Sequence, residues 1–150
     1  MNNPHNRLDV VRALSPQDIT AAATYTGATF DTKGAREYLL AIVTGAFTVN
    51  LLTVANLQYF SSDENDMGSE AQLGSSLDIF ASIAANSIIF VRVRTEEGKK
   101  FGRFKIVTTG AATTLLIAAE AIASDVPMKA ANYSGSAGSL LTLAGTIQAA

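Results

Sequence analysis

Two neighbouring stretches carry the clearest strand signal in the chain: SIIFVRVRT over residues 87–95 and FGRFKIVT over residues 101–108. Apolar and polar side chains alternate in both, which is the two-residue period of a strand with one buried face. The charged residues 96–100 between them predict a tight turn. We therefore predict two antiparallel strands that pair with each other as a hairpin. Their core-facing residues are expected to be Ile89, Val91, Val93, Phe104 and Ile106.

Short apolar runs recur along the rest of the chain and are separated by Gly, Asp, Asn and Ser clusters. Such runs occupy residues 8–14, 24–30, 38–43 and 49–60, and the first is closed by a Ser-Pro pair. The polar stretch over residues 61–76 is typical of a surface loop. Many short strands with frequent turn signals predict an all-β protein, either an antiparallel β-sandwich or a jelly-roll-like domain.

Two segments are ambiguous between helix and strand. Residues 77–86 and 111–124 are rich enough in alanine to form helices on propensity alone. The second segment starts with Thr113-Thr114 and ends in Ser-Asp-Val-Pro, which favours a strand. The first segment stays open.

The length of 150 residues predicts a single domain over residues 1–150. Residues 1–14 are expected to form an N-terminal arm. Residues 130–150 carry no charged side chain and are expected to be a C-terminal arm or a closing strand, either in the same domain or added to a neighbouring copy.

The charge content points to protein partners. Charged residues make up only 16% of the chain, and hydrophobic residues make up 48%. Depletion of charge is a property of interface cores, so we expect much of the surface to contact other proteins. A formal net charge of −2 gives no reason to expect a nucleic-acid partner or an anionic membrane surface.

Residues 38–62 contain no charged side chain and are long enough to span a bilayer, which takes about 20 residues. Several Thr, Asn and Gln side chains interrupt this stretch. Two buried strands joined by a turn explain it better, and no membrane partner is expected.

Catalytic chemistry is not expected, and neither is a cofactor. His5 is the sole histidine and there is no cysteine, so the usual nucleophile–base pairs cannot form. The acidic loop that starts at Asp63 fails the pattern of a calcium-binding loop. Met67 stands at a ligand position, and Gly74 stands where the glutamate belongs. We predict neither an enzyme nor a metal site.

Basic residues gather near the two alternating strands: Arg92, Arg94, Lys99, Lys100, Arg103 and Lys105. A solvated strand face is the favoured interpretation. A non-catalytic binding module that holds a glycan or a polyanion through this surface is the alternative.

Three short motifs follow one another along the chain: the turn Asp-Thr-Lys-Gly at residues 31–34, the strand end Leu-Gln-Tyr-Phe-Ser-Ser-Asp at residues 57–63, and Phe-Val-Arg-Val at residues 90–93. Together they resemble small virion structural proteins of tailed bacteriophages. The Ser-Asp-Val-Pro at residues 124–127 is also similar to that family's closing strand. Phe90 stands where the pattern has a tyrosine. The resemblance covers roughly residues 8–128.

The resemblance implies a capsid decoration (cement) protein on the capsid surface of the virion, bound to the major capsid protein and forming a homo-oligomer, with a trimer favoured. A head–tail connector or tail component is the alternative within the same class. The expected assembly contacts lie in the two arms: Leu8, Val10, Val11, Leu14, Tyr133, Leu141, Leu143 and Ile147.

Overall fold

The computed structural model describes residues 8–32, 35, 37–46, 52–79, 83, 85–94, 99–110 and 115–124. Within these ranges the chain forms strands and no helix. In chain order the strands are β1 Leu8–Asp18, β2 Thr24–Thr26, β3 Phe30–Asp31, β4 Glu37–Thr44, β5 Leu52–Ser62, β6 Ala71–Asp78, β7 Ile88–Arg94, β8 Phe101–Gly110 and β9 Leu116–Ser124.

The strands form two antiparallel sheets. The four-stranded sheet has the order β1-β9-β4-β7. The five-stranded sheet has the order β2-β8-β5-β6, and β3 also pairs with β8. The prediction of an all-β antiparallel sandwich is confirmed.

The pairing is nested along the chain. β1 pairs with β9, β2 and β3 with β8, β4 with β7, and β5 with β6. If β2 and β3 are taken as one interrupted strand, eight strands fold back on themselves as four concentric pairs that are split between two sheets. This is the arrangement of a double-sheet jelly roll.

The core between the sheets is built around aromatic rings from both of them. The Tyr59 ring lies 5.0 Å from Phe104 and 6.3 Å from Tyr38, and Phe30 lies 5.4 Å from Tyr38, between ring centroids. Tyr38 belongs to the four-stranded sheet and Tyr59 to the five-stranded sheet. Aromatic pairs at these separations add about 0.5–1.5 kcal/mol each beyond the area they bury.

The alternation read from residues 87–95 and 101–108 gives the right buried face but the wrong partner. Ile89, Val91 and Val93 are fully buried, and Phe104 and Ile106 are nearly so. The predicted hairpin is wrong, because β7 pairs with β4 in one sheet and β8 pairs with β5, β2 and β3 in the other. Alternation fixes which face of a strand is buried but carries no information about which neighbour completes its hydrogen bonds.

Three further boundaries differ from the sequence-based predictions. β1 continues past Pro16 to Asp18, with register shifts on either side of Leu14. Proline is tolerated in edge strands and at bulges, and β1 is an edge strand. The predicted surface loop over residues 61–76 is confined to residues 63–70, since β5 ends at Ser62 and β6 begins at Ala71.

The two ambiguous segments are resolved only in part. The strand favoured within residues 111–124 is confirmed as β9, while residues 111–114 lie outside the described residues. For the open segment 77–86, β6 includes Leu77 and Asp78, and no helix is found among its described residues. The two strands predicted within residues 38–62 are confirmed as β4 and β5.

Tyr59 carries a polar group that the core does not satisfy. Its hydroxyl is buried and finds no hydrogen-bond partner among the described residues, and burial raises the pKa of this hydroxyl. Its ring packs over Gly102, where an added Cβ would lie 2.3 Å from the Tyr59 hydroxyl oxygen. A buried polar atom without a partner costs about 1–3 kcal/mol.

We expect Tyr59→Phe to raise the free energy of unfolding by about 1 kcal/mol, because it removes the unsatisfied hydroxyl and keeps the ring. Urea unfolding at neutral pH measures this difference. The matched control is Tyr38→Phe, which removes a hydroxyl that donates to the Thr32 carbonyl at 3.4 Å and is expected to lower stability instead. Destabilisation by both changes would contradict this account of Tyr59.

Candidate assembly face

Most outward side chains of the four-stranded sheet are apolar. Each of its strands turns one set of residues to the core and the alternate set outward. Four outward residues are strongly exposed, namely Val10 at 58%, Val43 at 46%, Ile88 at 39% and Leu116 at 49%. We call this surface the apolar face. It consists of Val10, Leu39, Ala41, Val43, Ile88, Phe90, Leu116, Ala118 and Ile122.

The strand register brings the residues of the apolar face together in rows. Val43 lies opposite Ile88 on one side and Ala118 on the other. Four strand positions further along, Ile122 lies between Leu39 and Val10 in the same way, and the row between these two holds Glu120 opposite Ala41 and Arg12. Side chains directly opposite each other on neighbouring antiparallel strands have Cβ atoms about 4.5–5.5 Å apart, so the side chains within each row touch.

The face is large enough to matter for recognition. Strands about 4.8 Å apart and roughly 20 Å of β9 between Leu116 and Ile122 give a footprint on the order of 350 Å², which includes the exposed Glu120. Exposed apolar patches of a few hundred Å² on monomeric proteins commonly mark interaction sites.

Charged residues lie at one margin of the apolar face and also within it. On the β7 side, the Arg92 guanidinium forms a two-pronged ion pair with Glu37, with an Nη2 to Oε2 distance of 2.9 Å. On the β1 side, Arg12 lies opposite Glu120 in the register and both are exposed. Each of these places combines one cation and one anion, and Glu120 on β9 separates Ala118 from Ile122 within the apolar face.

The outer side of the five-stranded sheet has the opposite character. Glu70 there receives hydrogen bonds from Arg103, at 2.6 Å, and from Lys105. The Lys105 ammonium also lies 4.1 Å from the centre of the Phe60 ring, a cation–π contact. Gln58 donates to the Ser76 hydroxyl on the neighbouring strand. One outer surface of the sandwich is thus polar and internally paired, and the other is apolar.

The hydrogen bond from Arg103, with a second from Lys105, holds the pKa of the Glu70 carboxyl below its ordinary value, against the opposing effect of burial. A carboxyl whose pKa is lowered by folding stabilises the fold above its unfolded pKa of about 4.3. That contribution is lost as the pH falls through the lowered value of the folded state.

We expect Glu70→Gln to destabilise the fold by about 1–2 kcal/mol at pH 7, because two cations lose a charged acceptor. The difference between wild type and variant should shrink as the pH falls below about 4 and disappear in stronger acid. Urea unfolding across this pH range measures it. A difference that stays constant with pH would show that the carboxylate charge is not the cause.

The ion pairs bear on the predicted glycan or polyanion surface. Among the basic residues near β7 and β8, Arg92 is paired with Glu37, Arg103 and Lys105 with Glu70, and Lys99 with Asp63 at 2.8 Å. An incoming anion would compete with carboxylates already in place. The side chain of Arg94 lies outside the described residues.

The acidic loop over residues 63–70 is held by its own contacts. Asp66 accepts a hydrogen bond from the backbone of Gly68 at 2.9 Å, and Met67 is buried in the left-handed conformation with a φ of 60°. Across the described part of the chain, no three His, Cys, Asp or Glu side chains come close enough together to hold a metal ion.

The structure separates the predicted assembly contacts. Residues 8–14, predicted as part of an N-terminal arm, lie in edge strand β1. Leu14 is buried in the core, Val11 packs against the core, and Val10 is exposed on the apolar face. The side chain of Leu8 lies outside the described residues, as do the four predicted contacts of the tail, Tyr133, Leu141, Leu143 and Ile147. Their roles in assembly stay predictions.

Eight of the nine residues of the apolar face were not among the predicted contacts. A signal for them is present in the sequence. Residues 38–43 read YLLAIV and residues 115–119 read LLIAA, continuous apolar runs where a half-buried strand would alternate. Continuous runs are typical of strands covered on both faces, and here one of those two faces is open.

Comparisons with known proteins bear on the fold. No protein-family model and no curated protein matches the chain. A chain in the structure of infectious bursal disease virus, Gx strain, is similar in fold, with a TM-score of 0.50 and 12% sequence identity. The match covers 87% of this chain and 33% of the viral one, so this chain spans about a third of the viral chain's length.

At this level of identity the likeness concerns the fold alone, and it does not single out tailed bacteriophages. In the described ranges there is also no helix of the length and apolarity needed to cross a membrane.

Proposed function

We propose that this chain is a non-catalytic structural protein of a virion, and that it decorates the capsid shell of a tailed bacteriophage as a cement protein. Its partners are the major capsid protein and further copies of itself, and its place is the capsid surface. A trimer is the oligomer that the sequence resemblance favours.

One observation carries the proposal. The two outer surfaces of the jelly roll differ, with an apolar face on one sheet and internally paired polar side chains on the other. A subunit that packs against proteins on one side and faces water on the other needs this asymmetry. Burial of the apolar face would supply roughly 25 cal/mol per Å² before the costs of association.

Two further points support a virion role over other uses of a β-sandwich. Jelly rolls are common in viral capsid domains, and the similar solved chain comes from a virus structure. The low charge of the chain also fits a surface that is largely covered in its working state.

Two alternatives remain as candidates. A head–tail connector or tail component would use the same apolar face, and only the number of copies per particle separates it from decoration. A glycan- or polyanion-binding module is favoured less, because Arg92, Lys99, Arg103 and Lys105 are already paired with carboxylates. Salt-sensitive retention on heparin would favour that module.

The test is the copy number of the protein in purified particles from its source, measured by quantitative mass spectrometry against the major shell protein. Decoration predicts a simple ratio to the shell subunits. A handful of copies would assign the protein to the connector or the tail, and its absence from particles would contradict a virion role.

A further inference from the structure

We propose that residues 130–150 of a neighbouring copy cover the apolar face of each subunit. This inference rests on the proposed function, because it names the partner of the assembly face. It joins two features of the chain that are otherwise unexplained, an open apolar surface and an uncharged segment.

The composition of residues 130–150 suits an apolar surface. The segment contains no Asp, Glu, Lys, Arg or His, although the whole chain carries 24 Asp, Glu, Lys and Arg residues. Leu140, Leu141, Leu143 and Ile147 supply large apolar side chains. A segment without charges brings no charge of its own to be buried in the contact.

The described part of the chain ends close to the apolar face, six residues before residue 130. β9 ends at Ser124, which lies between Leu8 and Glu37 in the register, two positions beyond Ile122. Asp125 and Lys129 are the last charged residues, and the uncharged segment begins one position later. A chain of 21 residues can extend up to about 70 Å, and the face is roughly 20 Å long, so the segment can reach a neighbouring copy.

The proposed function decides between the two possible sources of the segment. If residues 130–150 covered the face of their own chain, the exposed apolar side chains Val10, Val43, Ile88 and Leu116 would already be buried in the free subunit. Contact between copies would then lose its main driving force. If the segment crosses to a neighbour, the same apolar area holds the copies together. We therefore assign the contact to the neighbouring copy.

The absence of cysteine from the chain allows a direct test, because introduced thiols have no native competitor. Two full-length single variants, Val43→Cys on the apolar face and Leu143→Cys in the segment, are mixed under conditions that allow subunits to exchange. They are then treated with a short bismaleimide. We expect a covalent dimer that contains one copy of each variant, identified by mass spectrometry of the linked peptides.

The matched control replaces Val43→Cys by Val107→Cys, which lies on the outer side of β8 in the polar sheet. We expect at least a tenfold lower yield of linked dimer from it. A third chain carries both Val43→Cys and Leu143→Cys. If this chain links only within itself and the mixture gives no dimer, the segment covers its own face and the proposal is overturned.

An absence of any Val43–Leu143 link, with both thiols reactive to a monofunctional maleimide, would also overturn it. The copy-number measurement keeps the two proposals apart. Linked dimers from a protein that is absent from particles would support the contact and contradict the virion role. A protein that is present in particles at a simple ratio to the shell but gives no link would support the virion role and contradict the contact.

Discussion

Gly27→Ala is expected to destabilise the domain by about 4 kcal/mol or more, one of the largest effects available to a single methyl group in this chain. Gly27 follows β2 and is buried where the edges of the two sheets meet. A Cβ at this position would lie 1.9 Å from the carbonyl oxygen of Ala13 in β1 and 2.8 Å from that of Phe104 in β8. Both obstacles are backbone atoms, so no side chain can move aside.

The same substitution would also weaken a hydrogen bond between elements. The Gly27 N–H donates to the Phe104 carbonyl at 2.8 Å, and the clash with Ala13 pushes the chain away from that position. Since natural domains are stable by about 5–15 kcal/mol, the variant should be largely unfolded or unfold at a much lower temperature. Circular dichroism with thermal and urea unfolding measures this.

The exposed neighbour Ala28 provides the control. Ala28→Ser changes the same connection without entering the space between the sheets and should stay within about 0.5 kcal/mol of wild type. A Gly27→Ala variant as stable as Ala28→Ser would mean that the two sheet edges do not meet at Gly27.

Gly27 also explains why one sequence prediction was only partly right. The stretch TYTGATF over residues 24–30 was predicted as one strand, but it forms β2 and β3 with an interruption between them. The β-branched and aromatic residues of this stretch are typical of a strand. The close approach of β1 at Gly27 is a long-range contact, and the local composition of residues 24–30 does not predict it.

The same division between local and long-range information runs through the fold. Burial of Ile89, Val91, Phe104 and Ile106 follows from alternation, which is a property of each strand alone. The partner of β7 is β4, more than 40 residues earlier in the chain. A prediction that pairs each strand with its neighbour in the sequence cannot identify this partner. The order of the strands within each sheet depends on the pairing of strands that are distant in the chain, and local sequence patterns do not contain that pairing.

The apolar face also depends on long-range information that the sequence pattern does not contain. The sequence predicted assembly from low charge and the absence of catalytic groups, and it placed the contacts in the two ends of the chain. The apolar face lies mainly on β4, β7 and β9, and it becomes visible only when the register brings Val43, Ile88 and Ala118 side by side. The residues were apolar in the sequence, but their exposure depends on which side of the sandwich each strand turns outward.

Val43→Glu is expected to reduce incorporation of the protein into particles by about a hundredfold while leaving the fold intact. Val43 is exposed at the middle of the row that joins Ile88 and Ala118, so a carboxylate there would be buried without a partner when the apolar face is covered. A loss of about 3 kcal/mol in binding corresponds to slightly more than a hundredfold. In the free subunit the same side chain remains in water, and stability should change by no more than about 0.5 kcal/mol.

The control is Val107→Glu, the same change on the outer side of the five-stranded sheet. Both variants and the wild type are added in equal amounts to particles that lack the protein, and bound copies are counted by mass spectrometry after sedimentation. We expect Val107→Glu to bind as wild type does, because that surface faces water in the proposed assembly. Equal binding of all three would show that the apolar face takes no part in assembly, and loss only with Val107→Glu would reverse the orientation of the subunit on the particle.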